Sequence, residues 1–394
     1  MGRTVSAVLT HGPDVLGTAG PFAVTGPWWS DVAPVVAGLT ERLGVPVLVL
    51  RLLRVEGEGM RDGHVTYHAE ALARPAAPLA PSDVAYGDLV APQRFRAPWA
   101  TTAGLHELLD WARAELAAAG RPMTGPVEQH RTWNLAGLFR LPTAAGPVWL
   151  KATPHFAGDE AAVITAFARH DPGLVPPVLA AGEHRMLLGH VPGDGNVAAP
   201  AEVVADVVGR LAAVQAVTAA PPGLPRRHDT PARVRALLDG GVSELTADER
   251  AAARRLTGRW PELDACGLPD TLVHGDCHAG NWLGDPPVVI DFADAHVGNP
   301  VLDGLRAAEF LPTATGTAAA RAWVRAWTAL APGSDPARAL AVAEPLGQLA
   351  YAVRYQEFLD GIEPSERVYH AGDPAAAIRA ALRLAREPSP WVAA

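Results

Sequence analysis

The hydrophobic period of the chain changes once, and that change sets what it can fold into. Between Val127 and Gly193, apolar residues come in short runs divided by turn residues: TWNLAGLFRL, the turn PTAAG, PVWLKA, VPPVLAAGE and RMLLGHVPG. Runs of this kind are strands, and the first two make a hairpin with Lys151 near the end of its second strand. One helix, EAAVITAFARH, interrupts them, with Val163, Ile164 and Phe167 as its buried stripe. After Pro200 the period becomes helical. In AEVVADVVGRLAAVQAV, residues Val203, Val204, Val207, Val208, Leu211 and Val214 recur at helical spacing. The expectation is an α+β chain with a small β-rich lobe followed by a larger, mostly helical lobe.

Ahead of these lobes, residues 1 to about 100 read as a small α/β unit. SDVAPVVAGLTERLG is a helix with Ser30 or Asp31 as N-cap and Gly44 as its stop. VPVLVLRLLRV follows as a buried strand and HVTYHAEAL as a second, before the loop ARPAAPLAPSD. GLHELLDWARAELAAAG is an amphipathic helix, and GRPMTGP a linker. Composition bounds the rest. With 49% hydrophobic and 19% charged residues the chain suits a soluble globular protein. A net charge of -9 with no basic stripe excludes a nucleic-acid binder. No run approaches the roughly 20 apolar residues of a membrane span, and the N-terminus lacks the layout of a signal peptide. Only Cys266 and Cys277 occur, which fits a reducing compartment, so a cytoplasmic protein is expected.

The exception within the helical part is TLVHGDCHAGNWLGDPPVVIDFAD, two short apolar strands around a polar loop. The loop gathers His274, Asp276, His278 and Asn281, and the second strand ends in Asp291. Asn281 and Asp291 offer the hard oxygen ligands that Mg²⁺ takes when nucleotide phosphates fill its other positions. Asp276 is placed to accept the proton of an attacking hydroxyl. Phosphoryl transfer also needs a cation on the donor phosphates. Lys151, the only lysine among 33 basic residues, supplies it, and Glu160 in the first turn of the next helix can orient it. No Walker A sequence is present, so a P-loop kinase is excluded. A reading of another class remains open, because His274-x-Asp276-x-His278 has the ligand spacing of a metal-dependent hydrolase.

With those residues in view, the chain resembles the aminoglycoside phosphotransferase and choline kinase superfamily of protein-kinase-like small-molecule kinases. The resemblance rests on HGD-x4-N, here His274 to Asn281, then Ile290-Asp291-Phe292, then the GNPVLD stretch ending in Asp303. It implies a bilobal fold with an N-terminal cap: residues 1–104 as cap, 105–192 as the small lobe with its hinge, 193–394 as the helical lobe with the catalytic loop. It implies ATP and Mg²⁺ as cofactors. RTWNLAG lies where the family has its phosphate-covering loop, which makes Thr132 and Asn134 phosphate contacts. MLLGHVPG lies at the hinge, which makes Gly189 and Val191 adenine contacts. His274 and Asp303 then brace the loop.

The cap, QHRTWN, HGDCHAGNW and YQEFLDGIEP together look most like the glucosamine kinases related to maltokinases. That resemblance implies transfer to the 6-hydroxyl of glucosamine; maltose or an aminoglycoside is the alternative acceptor. For the sugar, Asp294 and Glu309 are the nearest carboxylates in sequence, and Gln348, Tyr351 and Tyr355 share one helix face.

Overall fold

The strand VPVLVLRLLRV is apolar without alternation because both of its faces are buried. In the computed structural model, which describes residues 2–240 and 242–387, it is β3 of a four-stranded sheet. The sheet contains β1 (Arg3–His11), β2 (Asp14–Val24), β3 (Val47–Glu58) and β4 (Arg61–Ala71), in the order β2-β1-β4-β3. β1 and β4 run parallel; the outer pairs are antiparallel. Helix α1 (Ala33–Leu43) covers one face, where Val47 and Val49 join Val5, Leu9, Val35, Leu39 and Tyr67 in a core. Leu48 and Leu50 point the other way, into a second core with Trp99, Leu105, Leu109, Phe139 and Leu150. A register shift between Val49 and Arg51 moves the alternation by one, so Leu52 returns to the first core.

The second core is closed by α3 (Thr102–Ala118), capped by the Thr101 side chain, and by a five-stranded sheet; the short α2 (Tyr86–Val90) precedes it. The sheet's strands are β5 (Glu128–Trp133), β6 (Ala136–Leu141), β7 (Val148–Ala152), β8 (Val178–Gly182) and β9 (Arg185–Gly189), in the order β5-β6-β7-β9-β8. TWNLAGLFRL, expected as one strand, is two. It turns at Asn134-Leu135, an asparagine position suited to a tight turn, and Trp133 pairs with Ala136. Lys151 stands on the central strand, with Leu138 and Met186 as register partners.

The start of α1 also differs from expectation. Its N-cap is Val32, without a side-chain cap, while Gly44 at φ 65° ends it as expected. Ser30 and Asp31 are not caps because their backbone pairs with β5: the Thr132 amide donates to the Ser30 carbonyl and the Val32 amide to that of His130. Side chains likewise satisfy the edge of β3. The Gln129 amide group bonds both Val49 backbone groups at 2.8 and 2.7 Å, and Glu366 Oε1 accepts from the Leu52 amide at 2.9 Å. These elements, residues 2–156 and 179–190, cluster with the segment 361–369 into one unit.

The second unit is mostly helical. It holds α4 (Glu160–Ala168), α5 (Ala201–Val217), α6 (Thr230–Gly240), α7 (Ala247–Leu256), α8 (Trp260–Asp264), α9 (Val301–Ala308), α10 (Thr313–Leu330), α11 (Pro336–Gly361) and α12 (Asp373–Leu384). As expected, α4 buries Val163, Ile164 and Phe167, and α5 buries Val204, Val207, Val208, Leu211 and Val214; Val203 is only half-buried. Gly304 lets α9 and α10 close together, since a Cβ there would meet the Trp323 ring at 2.7 Å. Four short strands complete the unit: β10 (Thr271–Val273), β11 (Trp282–Leu283), β12 (Val288–Val289) and β13 (His296–Gly298). Contrary to the simplest reading, the strands flanking the polar loop do not pair with each other: β10 pairs with β13, and β11 with β12. Among the described residues no helix is long and apolar enough to cross a membrane.

Glu366 makes the first unit sensitive to pH. Burial pushes its carboxyl up to about 8, reinforced by the Glu363 charge and opposed by the Leu52 amide bond. Between the ordinary glutamate value and about 8, the folded chain therefore holds a proton that the unfolded chain has lost. Stability from this group is full below the ordinary value and declines as pH rises through that window. Melting temperatures measured from pH 5 to pH 9 are expected to fall more steeply for the wild type than for Glu366→Gln. Parallel curves would remove the assignment.

Candidate active site

The polar loop is held from below by one buried carboxylate. Asp303, on the first turn of α9 and 1% exposed, accepts the His274 amide at 2.7 Å and the Gly275 amide at 2.9 Å. Gln215 of α5 donates to the same group at 2.6 Å. Burial pushes the Asp303 carboxyl above its ordinary value, and these bonds counter the shift. Gly275 has φ 89°, and a Cβ there would lie 2.4 Å from the Asp294 carbonyl oxygen, so the turn requires glycine.

His274 is fully buried against Phe292, ring centroids 4.4 Å apart. Its Nδ1 accepts the Asp276 amide at 3.1 Å, so Nε2 carries the proton and donates to the Ile290 carbonyl at 3.0 Å. Both nitrogens are thus committed to backbone, and His274 joins the loop to the segment entering Asp291. His278 Nδ1 accepts the Gly280 amide. The hydrolase reading needed both imidazoles as ligands and fails on the first. Among the described residues, no three His, Cys, Asp or Glu side chains gather as a metal cluster.

Asp276 is half-buried. Its Oδ1 accepts Arg306 Nε at 2.7 Å; its Oδ2 accepts Asn281 Nδ2 at 3.2 Å and lies 3.6 Å from His278 Nε2. Burial pushes the carboxyl up, but the neighbouring His278 imidazole and the Arg306 charge prevail and hold it down to about 2. Asp276 is therefore a carboxylate at neutral pH. Asn281 Nδ2 also donates to the Asp276 carbonyl at 2.9 Å. Those two bonds assign the nitrogen and leave Asn281 Oδ1 as its outward oxygen. The Ile290 amide donates to the Asn281 carbonyl at 2.9 Å, which brings Asn281 beside Asp291.

Asp291 lies beyond the end of β12, exposed, at φ 67°. An exposed carboxylate carries little desolvation cost. Left-handed backbone at a non-glycine residue is instead the kind of strain found at functional positions. The adjoining Phe292 amide donates to Glu160 Oε1 at 2.9 Å, so the buried Glu160 fixes the Asp291 segment from α4. In the same unit, Asn196 Nδ2 ties the chain after Val191 to the Trp282 and Gly284 carbonyls.

In the first unit, Lys151 is 7% exposed on β7 and Gly189 ends β9. Thr132 and Asn134, expected to touch phosphate, are 2% and 5% exposed. The Thr132 hydroxyl donates to the Leu50 carbonyl and the Asn134 amide to that of Glu366. One side chain serves the β3 edge and the other the 361–369 segment, which the loop sequence could not reveal.

The acidic candidates on the sugar side already have partners. Asp294 accepts Arg354 Nε at 2.7 Å, and Glu309 accepts Arg306 Nη1. Arg354, Arg227 and Arg233 converge on Glu357. On α11, Tyr351 lies beside Arg306, Tyr355 stacks near Phe358 and His370, and Gln348 is half-buried. Arg306 and Arg354 were missed because neither belongs to a local motif. The one available signal was that Arg306 follows Asp303 at i+3, on the same helix face.

A β-sheet lobe, a helical lobe and this loop define a protein-kinase-like phosphotransferase. The chain belongs to the phosphotransferase enzyme family, whose model matches residues 138–340, just over half of the 394. Among solved structures it is similar to a choline/ethanolamine kinase family protein from Mesorhizobium loti. Identity is 20%, over 71% of this chain and 99% of that one, with a TM-score of 0.50. A choline kinase from Cryptosporidium parvum matches at 9% identity over 66% of this chain and 89% of that one, TM-score 0.49. A macrolide 2′-phosphotransferase from Brachybacterium faecium matches at 23% identity over 68% and 98%, TM-score 0.46. No curated protein matches in sequence.

The brace gives a direct test. Asp303→Ala strands two backbone amides and Gln215 in the core, and should cost about 3–5 kcal/mol by denaturant unfolding. Turnover per folded molecule should fall as well. A loss below about 1 kcal/mol would mean that the loop holds itself.

Proposed function

We propose that this phosphotransferase is a cytoplasmic, ATP-dependent sugar kinase that converts glucosamine to glucosamine 6-phosphate. The observation that carries the kinase reading is Asp276: a carboxylate kept charged on a braced loop, next to the outward oxygen of Asn281 and the exposed Asp291. The choice of glucosamine rests on the sequence resemblance, with maltose or an aminoglycoside as the acceptor to exclude. In this reading residues 1–104 form a cap, 105–192 the small lobe with its hinge, and 193–394 the lobe carrying the loop.

Asp276 accepts a hydrogen bond from the 6-hydroxyl and takes its proton as the hydroxyl oxygen bonds to the γ-phosphorus and the bond to ADP breaks. A base with so low a pKa is a weak one, so its first task is orientation, with the proton arriving late in a loose transition state. Asn281 Oδ1 and Asp291 are hard oxygen donors that fit Mg²⁺, which when bound supplies charge neutralisation for the phosphates. Lys151 is the cation for the donor phosphates, Gly189 and Val191 flank the adenine, and Glu160 keeps the Asp291 segment in place. Thr132 and Asn134 act on phosphate only through the loop backbone that their side chains hold. On the acceptor side we place Asp294, Glu309, Gln348, Tyr351 and Tyr355. The two acids reach an amino group only by sharing it with their arginines.

ADP release in the presence of Mg²⁺ and ATP, measured over a panel of sugars, decides the acceptor. Glucosamine is expected to lead; failure with glucosamine but turnover of maltose or an aminoglycoside would replace it. Asp276→Asn should lower kcat at least about 1,000-fold with ATP binding retained; near-normal turnover would remove Asp276 from its role. Lys151→Arg, which puts a planar fork where a slim ammonium stands, should lower kcat/KM for ATP at least about tenfold. An unchanged value would make the single lysine incidental.

A further inference from the structure

Helix α9 reaches the catalytic loop twice, one turn apart. Asp303 holds its backbone, and Arg306 holds the Asp276 side chain. We propose that Arg306 is a positioning residue for phosphoryl transfer: it anchors Asp276 through Oδ1 so that Oδ2 is presented to the acceptor hydroxyl. The inference rests on the reading of Asp276 as the group that receives the hydroxyl proton.

The geometry around the guanidinium leaves it little freedom. Nε donates to Asp276 Oδ1 at 2.7 Å and Nη1 donates to Glu309. The same group lies over two rings, 4.9 Å from the Phe310 centroid and 5.2 Å from that of Tyr351. Its side chain is 14% exposed. A planar fork with two carboxylates at its edge and two rings beside it has one favourable orientation. Asp276 inherits that orientation. Among the described residues, the hydrogen bond on Oδ2 is the longer one from Asn281, with His278 Nε2 at 3.6 Å. Oδ1 is engaged by the short bond to a charged donor and Oδ2 only by a longer bond to a neutral one, so Oδ2 has the greater acceptor capacity for a substrate hydroxyl.

A structural ion pair alone would account for the contact but not for its placement. Arg306 and Glu309 make the same i,i+3 pair that a surface helix would carry for a small gain in stability. Here that pair is turned to the reactive carboxylate, and the second acid sets the arginine, not the fold. Glu309 thus acts two bonds away from the chemistry.

Steady-state kinetics of Arg306→Gln, Arg306→Ala and Glu309→Gln test this, with Asp276→Asn as the control and melting temperatures alongside. Arg306→Gln is expected to lower kcat about 100-fold, the cost of a misplaced catalytic group, with KM for ATP within about twofold. Glu309→Gln should lower kcat in the same direction by about three- to tenfold. Guanidinium ion, added below denaturing concentration, should restore part of the kcat of Arg306→Ala without stimulating the wild type. A purely structural arginine would shift melting temperature and leave the kcat of the folded fraction intact, with no rescue.

The inference is overturned if Arg306→Gln keeps kcat within about threefold while Asp276→Asn is inactive. If Asp276→Asn itself turns over, the reading of the base fails instead. Should Arg306→Gln not fold, Glu309→Gln and the guanidinium rescue decide: wild-type kcat in Glu309→Gln overturns the inference, as does absence of rescue in folded Arg306→Ala.

Discussion

The polar loop of the second unit hangs from one buried carboxylate. Asp303, buried in the core, is the acceptor for the amides of His274 and Gly275 and for Gln215. A loop turned through a glycine at φ 89° has no ladder of its own to satisfy those amides. The cost of burying the carboxyl is offset by three donors, and the donors are satisfied by the carboxyl. Neither half is stable in that position without the other. His274 then passes the constraint onward through both ring nitrogens, to Asp276 and to the Ile290 carbonyl that precedes Asp291.

The first unit is organised around an edge instead. Strand β3 is buried on both faces but lies at the side of its sheet, so its outer backbone groups need partners. Gln129, Thr132 and Glu366 supply them with side chains. That solution explains why the turn after β5 carries no repeated glycines. Its conformation is imposed by hydrogen bonds to a neighbouring strand and segment, so it need not be built from permissive residues. It also gives the Thr132 hydroxyl and the Asn134 amide nitrogen backbone partners of their own.

What the sequence disclosed was whatever is local. Periodicity found β3 and α3 through α5, glycine found the end of α1, and the spacing of His274, Asp276, Asn281 and Asp291 marked the loop. What it hid was whatever joins distant positions. Ser30 looks like an N-cap until its carbonyl is seen to serve Thr132. Asp276 and Asp294 look like free acids until Arg306 and Arg354 are placed beside them. TWNLAGLFRL shows no break because Asn134-Leu135 turns within two residues. No residue pattern encodes a partner 30 or 60 positions away; only the fold does.

The same logic separates the two aspartates that matter most. Asp276 and Asp303 are 27 residues apart, share the loop, and would have the same acidity in an unfolded chain. Asp303 meets only neutral donors, so burial dominates and its affinity for a proton rises. Asp276 meets Arg306 and His278, which overcome burial and keep it charged. One carboxyl becomes a brace and the other stays a charged, half-buried acceptor, by neighbours alone. The brace and the anchor share one helix, α9, where Asp303 and Arg306 sit one turn apart. A shift of that short helix would move backbone brace and side-chain anchor together, so the loop cannot be displaced without also losing the orientation of its carboxylate.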